Sequence, residues 1–366
     1  MRLFGAVQGL SFGPVSPPED FGELARGVGA GLVRAELAWA EVEPVPGSYD
    51  WAEVDRLLTG VAGWGRLWLS VRCRSPWGTR TGSGGASSPP LDEAAFRRFV
   101  TELCRHCGDS VRYWQCESEP AAGDNWAGTP GEYARLATSF AGAVRAVAEA
   151  PVLVLGGLSG DAPEQASRDF FRVVVPGAAG DFDLLDLHVD GGRGRLHAQF
   201  ERAREVLGDD DRLVVGEQRV PGPGELVTAS VLALANGASA VCYRVEDRLA
   251  ELSPTLRMLC RWLAGSTGAR RIDVSGRPEV YAVEVGFDDP GRSVQVFWRE
   301  DDAADAEADL REALEWHWVH SSLHVAAADA EPLPMPAWAS GRLALPLSGS
   351  PVLVSTEPLD PDGRSG

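Results

Sequence analysis

The sequence predicts an α/β protein, a (β/α)8 TIM barrel over residues 1–264 followed by a small β-sandwich-like domain over 265–358. Three observations lead there. Short β-rich runs alternate with longer helical patterns, the signature of parallel strands joined by crossover helices. Eight such repeats fit before residue 264, the count that closes a barrel. No Gly-x-Gly-x-x-Gly follows the first run, which argues against an open dinucleotide-binding sheet.

In chain order, strands are expected at Leu3 to Val7, Leu32 to Glu36, Arg66 to Arg72, Val111 to Glu117, Val152 to Gly156, Leu184 to Val189, Leu213 to Glu217 and Ala238 to Tyr243. Helices are expected between them at Trp51 to Val61, Asp92 to His106, Pro130 to Ala148, Ser167 to Val174, Leu196 to Leu207, Leu226 to Asn236 and Pro254 to Leu263. Phe96, Phe99, Val100 and Leu103 show the helical period most clearly. After Gly265 the pattern changes to alternating strands: Val280 to Val285, Val294 to Trp298, Trp316 to Leu323, Arg342 to Leu347 and Pro351 to Ser355. The acidic stretch Glu300 to Glu315 reads as a solvated excursion or short helix, and 359–366 as a disordered tail.

Composition narrows the chemistry. The 366 residues carry 53 acidic and 34 basic side chains, a net charge of −19, unsuited to a nucleic-acid backbone. Every basic residue is arginine, so Schiff-base and Walker-lysine chemistry are excluded. The start of the chain has no apolar run long enough for a signal peptide, and none elsewhere reaches membrane-spanning length. A cytoplasmic protein with no membrane partner is expected. Its six cysteines then read as reduced thiols. Cys104-Arg105-His106-Cys107 is half a zinc site, but with no second pair it reads as two buried thiols on a helix. His317, His320 and His324 read as β-domain surface.

A barrel strand is buried on both faces, and in this fold the carboxyl ends of the strands build the active site. Polar residues cluster at those ends. Arg34 and Glu36 alternate with Val33, Ala35 and Leu37; Trp68, Ser70 and Arg72 alternate with Leu67, Leu69 and Val71. Glu117 and Glu119 end the fourth strand, Asp186, His188 and Asp190 share a parity at the sixth, Glu217 closes the seventh and Tyr243 the eighth. Internal ion pairs, Arg34 with Glu36 or Arg72 with Asp186, are the structural alternative.

Three stretches resemble the clan of retaining (β/α)8 glycoside hydrolases, closest to its β-xylosidase and cellulase-like branches. They are Val33 to Pro44 with Pro46-Gly47-Ser48-Tyr49-Asp50-Trp51, Tyr113 to Pro120 with Trp126-Ala127-Gly128-Thr129-Pro130, and Leu213 to Glu217. The resemblance implies Glu119, the glutamate before Pro120, as general acid/base, with Glu117 as its rival. It implies Glu217 as nucleophile, held ionised by Arg34. Retaining chemistry needs a protonated and an ionised carboxyl roughly 5 to 5.5 Å apart. Proximity is expected to raise the pKa of Glu119.

The departures are as specific as the matches. Ser118 stands where the family has the asparagine that bonds the sugar 2-hydroxyl, and His188-Val189-Asp190 replaces His-x-Tyr, setting an extra carboxylate near Glu217. Tyr243 replaces a tryptophan platform, and Arg219 either balances charge or occupies the substrate's place. Trp39, Trp77 and Trp126 are the aromatic candidates for stacking on a sugar, Trp77 foremost, with Thr79 to Ser88 beside it as a lid. The expected function is hydrolysis of a β-glycoside or glycosylated small molecule, with no cofactor and no metal. A glycosidase-like sugar-binding or regulatory protein that has lost hydrolysis, or a transglycosylase of specialised metabolism, are the alternatives. Oligomeric state is left open.

Overall fold

The computed structural model describes residues 6–13, 16–82, 85–123, 125–159, 164–191, 193–208, 212–219, 222–244, 249–274, 276–299, 314–334, 338–339, 341–345, 347 and 349–358. Its order is β1 (Val7–Ser11), α1 (Phe21–Gly27), β2 (Leu32–Ala38), α2 (Trp39–Val42), α3 (Ala52–Val61), β3 (Arg66–Arg72), α4 (Glu93–Cys107), β4 (Val111–Cys116), α5 (Pro130–Arg145), β5 (Val152–Leu158) and α6 (Glu164–Gly177). It continues with β6 (Leu184–Asp190), α7 (Arg193–Leu207), β7 (Leu213–Arg219), α8 (Pro223–Ala235), β8 (Ala240–Arg244) and α9 (Leu249–Trp262). The strands β1 to β8 close into a parallel barrel, with Leu10 of β1 opposite both Val33 of β2 and Tyr243 of β8.

Alternation divides each barrel strand. Leu32, Trp68, Val152, Val154, Val214, Ala240 and Cys242 form the inner layer. Leu10, Val33, Leu69, Trp114, Leu153, Leu185, Val215 and Tyr243 join the larger core beneath the helices. The first strand lies later than expected, meeting Leu3 to Val7 only at Val7; residues 3–5 lie outside the described residues. Gly9 is the reason a weak β-former sequence serves here: a Cβ on it would lie 2.7 Å from the Leu32 carbonyl oxygen. Close strand approach, rather than propensity, selects Val7-Gln8-Gly9-Leu10-Ser11.

The helices follow their end signals. Asp92 caps α4 by accepting from the Ala94 N–H at 2.9 Å, and Phe96, Phe99, Val100, Leu103, Cys104 and Cys107 form its buried stripe. Thr129 and Glu132 form a reciprocal capping box at α5, with Pro130 in the first turn. Leu226 through Leu234 of α8 are all buried, because the helix meets β7 on one side and residues Gly268–Ile272 and Val280–Gly286 of the carboxyl-terminal region on the other.

That region comprises β9 (Gly268–Ile272), β10 (Val280–Gly286), β11 (Val294–Arg299), β12 (Leu314–His317), β13 (His324–Ala327), β14 (Trp338–Ala339), β15 (Arg342–Leu345) and β16 (Val352–Ser355). They form a five-stranded antiparallel sheet, β13-β16-β11-β10-β9, and a three-stranded one, β12-β15-β14. Ala282, Phe297, Val325 and Val354 face Leu314, Leu343 and Leu345 between the sheets, while Tyr281, Val283, Val296 and Leu353 join the barrel core.

The strand expected over Trp316 to Leu323 is broken. The Trp318 indole donates to the Ser322 carbonyl at 2.9 Å and turns the chain back, so β12 ends at His317 and β13 starts at His324. The short β9 and β14 lack an apolar alternation that would have announced them. Residues 300–313 of the acidic stretch and the tail 359–366 lie outside the described residues. Among the described residues no helix is long and apolar enough to cross a membrane.

Candidate active site

The inner faces of the strands converge on Arg34. Its side chain is fully buried, over the Trp68 ring, and its two terminal nitrogens reach Glu217 Oε1 at 2.8 Å, Ser118 Oγ at 2.7 Å, Glu36 Oε1 at 3.2 Å, and Gln115 Oε1 and Ser11 Oγ at 3.3 Å. Burial works against its charge, but Glu217, Glu36 and Asp186 more than offset it, so the guanidinium is held protonated. Ser118, on the far side, is thereby committed to Arg34.

Glu217, on β7, has both oxygens engaged. Arg34 and, at 3.4 Å, the Ser11 hydroxyl hold Oε1; Oε2 accepts from Arg244 at 2.6 Å and from Arg219 Nη2 and Nε at 2.9 and 3.2 Å. Burial pushes its pKa up, but His188, Arg34, Arg244 and Arg219 together hold it well below the usual carboxylate range. It is ionised, as a nucleophile requires.

Glu119 lies just past the end of β4 and belongs to a different chain of contacts. Its Oε1 meets His188 Nδ1 at 2.7 Å, and His188 Nε2 meets Asp186 Oδ2 at 2.8 Å. Asp186, fully buried, also accepts from Gln115 Nε2 at 2.8 Å and from the Gly216 N–H at 2.7 Å. Space for Asp186 depends on Gly216, where a Cβ would lie 2.4 Å from Asp186 Oδ1. Burial lowers the pKa of His188, yet Asp186, Glu119 and Glu217 outweigh it and raise it to about 10. Burial likewise pushes Glu119 up, and Glu217 adds to it as expected, but His188 and Arg219 outweigh both and pull it down to about 2. The expected elevation of Glu119 is thus corrected: at rest the proton belongs to the imidazole, and Glu119 is a carboxylate.

The two glutamates meet at one group. Arg219 Nη2, 2.9 Å from Glu217 Oε2, is 3.9 Å from Glu119 Oε1, so both carboxylates lie within reach of a single guanidinium nitrogen. Glu117, the rival acid, turns elsewhere. Its backbone sits in the left-handed region at φ 64°, and its Oε1 accepts from the Cys73 N–H at 2.6 Å while Oε2 is 3.6 Å from Arg72. Burial raises its pKa against the pull of Arg72. Arg72 pairs with Glu36 and Glu117 rather than with Asp186.

Of the other residues singled out in the sequence, His188 and Ser118 join the cluster, and several do not. Tyr243 faces the helices: its hydroxyl meets Gln8, and strand parity puts Arg244 at the mouth in its stead. Trp39 has no exposed surface; its ring packs against Trp77, Phe96 and Phe99, so it is core rather than a sugar platform. Trp126, almost wholly buried, donates to the Thr129 carbonyl and packs on Tyr133 under α5. Trp77 is half-buried and tied to the Glu43 carbonyl. Asp190 accepts from Gln199 and lies 3.7 Å from Arg195, so its partners are on α7 instead of Glu217.

Thr79 to Ser88 is not a free lid along its described length, because Thr79, Ser87 and Ser88 are buried and the Ser88 N–H donates to Cys73. Cys104 and Cys107 are buried thiols facing the core from α4. Ser11, Gln115 and Arg244 were missed in the sequence. For Arg244 the signal was present, since Ala240, Cys242 and Arg244 alternate with Val241 and Tyr243.

Comparison of the fold adds the last observation. A family 39 glycoside hydrolase from the gut symbiont Bacteroides cellulosilyticus WH2 superposes with a TM-score of 0.68 at 14% identity, covering 97% of this chain and 82% of that one. The fold is shared with glycoside hydrolases. A monomeric β-xylosidase from Caulobacter crescentus CB15 gives 0.63 at 15% identity, covering 98% of this chain and 97% of its own. A glucosidase from Croceicoccus marinus gives 0.63 at 14%, covering 96% of both. No protein-family model matches the sequence, and neither does any curated protein.

Proposed function

We propose that the chain is a retaining glycoside hydrolase that cleaves a β-glycosidic bond with Glu217 as nucleophile and Glu119 as general acid/base. The observation that carries this reading is the convergence of the two glutamates on Arg219 Nη2, with Arg34 holding Glu217 from the buried side. Similarity of fold to glycoside hydrolases supports it. In the first step a Glu217 oxygen bonds to the anomeric carbon as the glycosidic C–O bond breaks, and the leaving oxygen takes a proton from Glu119. That proton is stored on His188 Nδ1, 2.7 Å from Glu119 Oε1, and passes through the carboxyl. In the second step Glu119 removes a proton from water, the water oxygen replaces Glu217 at carbon, and the sugar leaves with its configuration retained.

The test is hydrolysis of activated aryl β-glycosides by the native chain and by Glu119→Gln and Glu217→Gln. Both substitutions are expected to abolish turnover while the fold survives, and NMR of the first-formed sugar to show the β-anomer. Unchanged rates would remove the assignments. One observation favours a second reading, sugar binding without turnover: Arg219 and Arg244 both lie on Glu217 Oε2. Tight sugar binding with no turnover across the panel is its signature.

A further inference from the structure

Two arginines cover the oxygen of Glu217 that Arg34 leaves open. A carboxylate nucleophile needs one oxygen aimed at the anomeric carbon, and here Oε2 accepts from Arg244 at 2.6 Å and from Arg219 at 2.9 and 3.2 Å. Arg34 cannot yield the other oxygen, being fully buried and also bound to Ser118, Gln115 and Glu36. The side chains of Arg219 and Arg244 are 35% and 12% exposed, so a ligand arriving from solvent can meet both.

The chemistry of the ligand follows from what it must replace. A neutral sugar offers hydroxyls, which bring no charge to the guanidinium and lack the paired oxygens of a carboxylate, so it exchanges poorly for Glu217. A carboxylate or sulfate matches the guanidinium fork in charge and in geometry. We infer that Arg219 and Arg244 recognise an anionic substituent on the sugar, and that this site takes an acidic glycoside. The inference rests on the glycosidase reading above. Binding draws both guanidiniums onto the substrate's anion and opens Glu217 Oε2, so recognition and exposure of the nucleophile are one event.

The experiment compares 4-nitrophenyl β-glucuronide, β-galacturonide and 6-sulfo-β-glucoside with the neutral β-glucoside and β-galactoside, alongside calorimetric binding of glucuronate, glucose 6-sulfate and glucose. The acidic substrates are expected to exceed the neutral ones at least 100-fold in kcat/KM, with the preference falling as salt is added. Arg219→Gln and Arg244→Gln should each cut that ratio at least tenfold. Arg219→Lys, which keeps the charge and loses the fork, should fall between and serves if a glutamine variant does not fold. Carboxylate against sulfate distinguishes the two sources of the anion. Neutral substrates cleaved as well as acidic ones would overturn this inference and leave the glycosidase reading. Arginine-dependent binding of acidic sugars with no cleavage would overturn the glycosidase reading and leave the anion site. Neither binding nor cleavage would overturn both.

Discussion

Replacing His188 with glutamine removes a buried cation that three carboxylates share, and the effect has a pH signature that can be worked out in advance. His188 titrates at about 10 in the folded chain against an ordinary 6.5, so its stabilisation is fully present below pH 6.5 and is lost as pH rises toward 10. At about 1.36 kcal/mol per pH unit, the native chain loses at most about 5 kcal/mol across that window through this group. Glu119, folded pKa about 2 against 4.5, reports the other edge of the same ion pair: its share is present above pH 4.5 and lost as pH falls toward 2. His188→Gln has no proton to release between pH 6.5 and 10. The assay is thermal or urea unfolding of both proteins at pH 6, 8 and 10. The native chain should be more stable by several kcal/mol at pH 6, and the gap should close steadily toward pH 10. Titrating groups remote from His188 are common to both proteins and cancel in the difference. A gap that stays constant with pH would refute the placement of the proton on His188.

Other outcomes follow from single contacts. Gly216→Ala should destabilise the chain by about 1 to 3 kcal/mol and weaken the proposed activity, since its Cβ would displace the Asp186 carboxylate; calorimetry and turnover check this. Arg34→Met leaves Glu217 and Glu36 without their buried cation and should cost about 3 to 5 kcal/mol, measured by denaturant unfolding. Thr129→Ala removes the α5 cap and should cost about 1 kcal/mol, with the proposed activity unchanged. All six cysteines are buried free thiols, so a chromogenic disulfide reagent should titrate none in the native chain and six after denaturation.

The frame of this molecule is legible in its amino acids because each barrel strand carries two opposed patterns. The alternation predicts the bounds of Arg66–Arg72, and it puts Arg34 and Glu36 on one side of β2, where the two side chains meet. Where parity was broken, reading failed. The extra residue in β7, marked by register shifts between Leu187 and His188 and between Val215 and Gln218, breaks the alternation from Val214 to Glu217, while Asp190, at the end of β6, finds its partners on α7. At β8 the sequence points to Tyr243, whereas Arg244, one residue later, reaches the mouth. Trp39 and Trp126 show a different limit: an aromatic ring near a strand end packs in a core or stacks on a ligand with the same local sequence. The proton on His188 was not legible at all. It depends on Asp186, Glu119 and Glu217, which come from three elements and meet only in space.

Asp186 sits in a notch made by two absent methyl groups, because a Cβ at Gly216 would press on its Oδ1 and one at Gly157 would lie 3.1 Å from its Oδ2. Positions 157, 186 and 216, on three neighbouring strands, therefore cannot drift one at a time. A lineage that enlarges either glycine must shorten the acid between them, and with it lose the anchor of the imidazole. Inheritance of the three as a block is the evolutionary trace that this packing leaves.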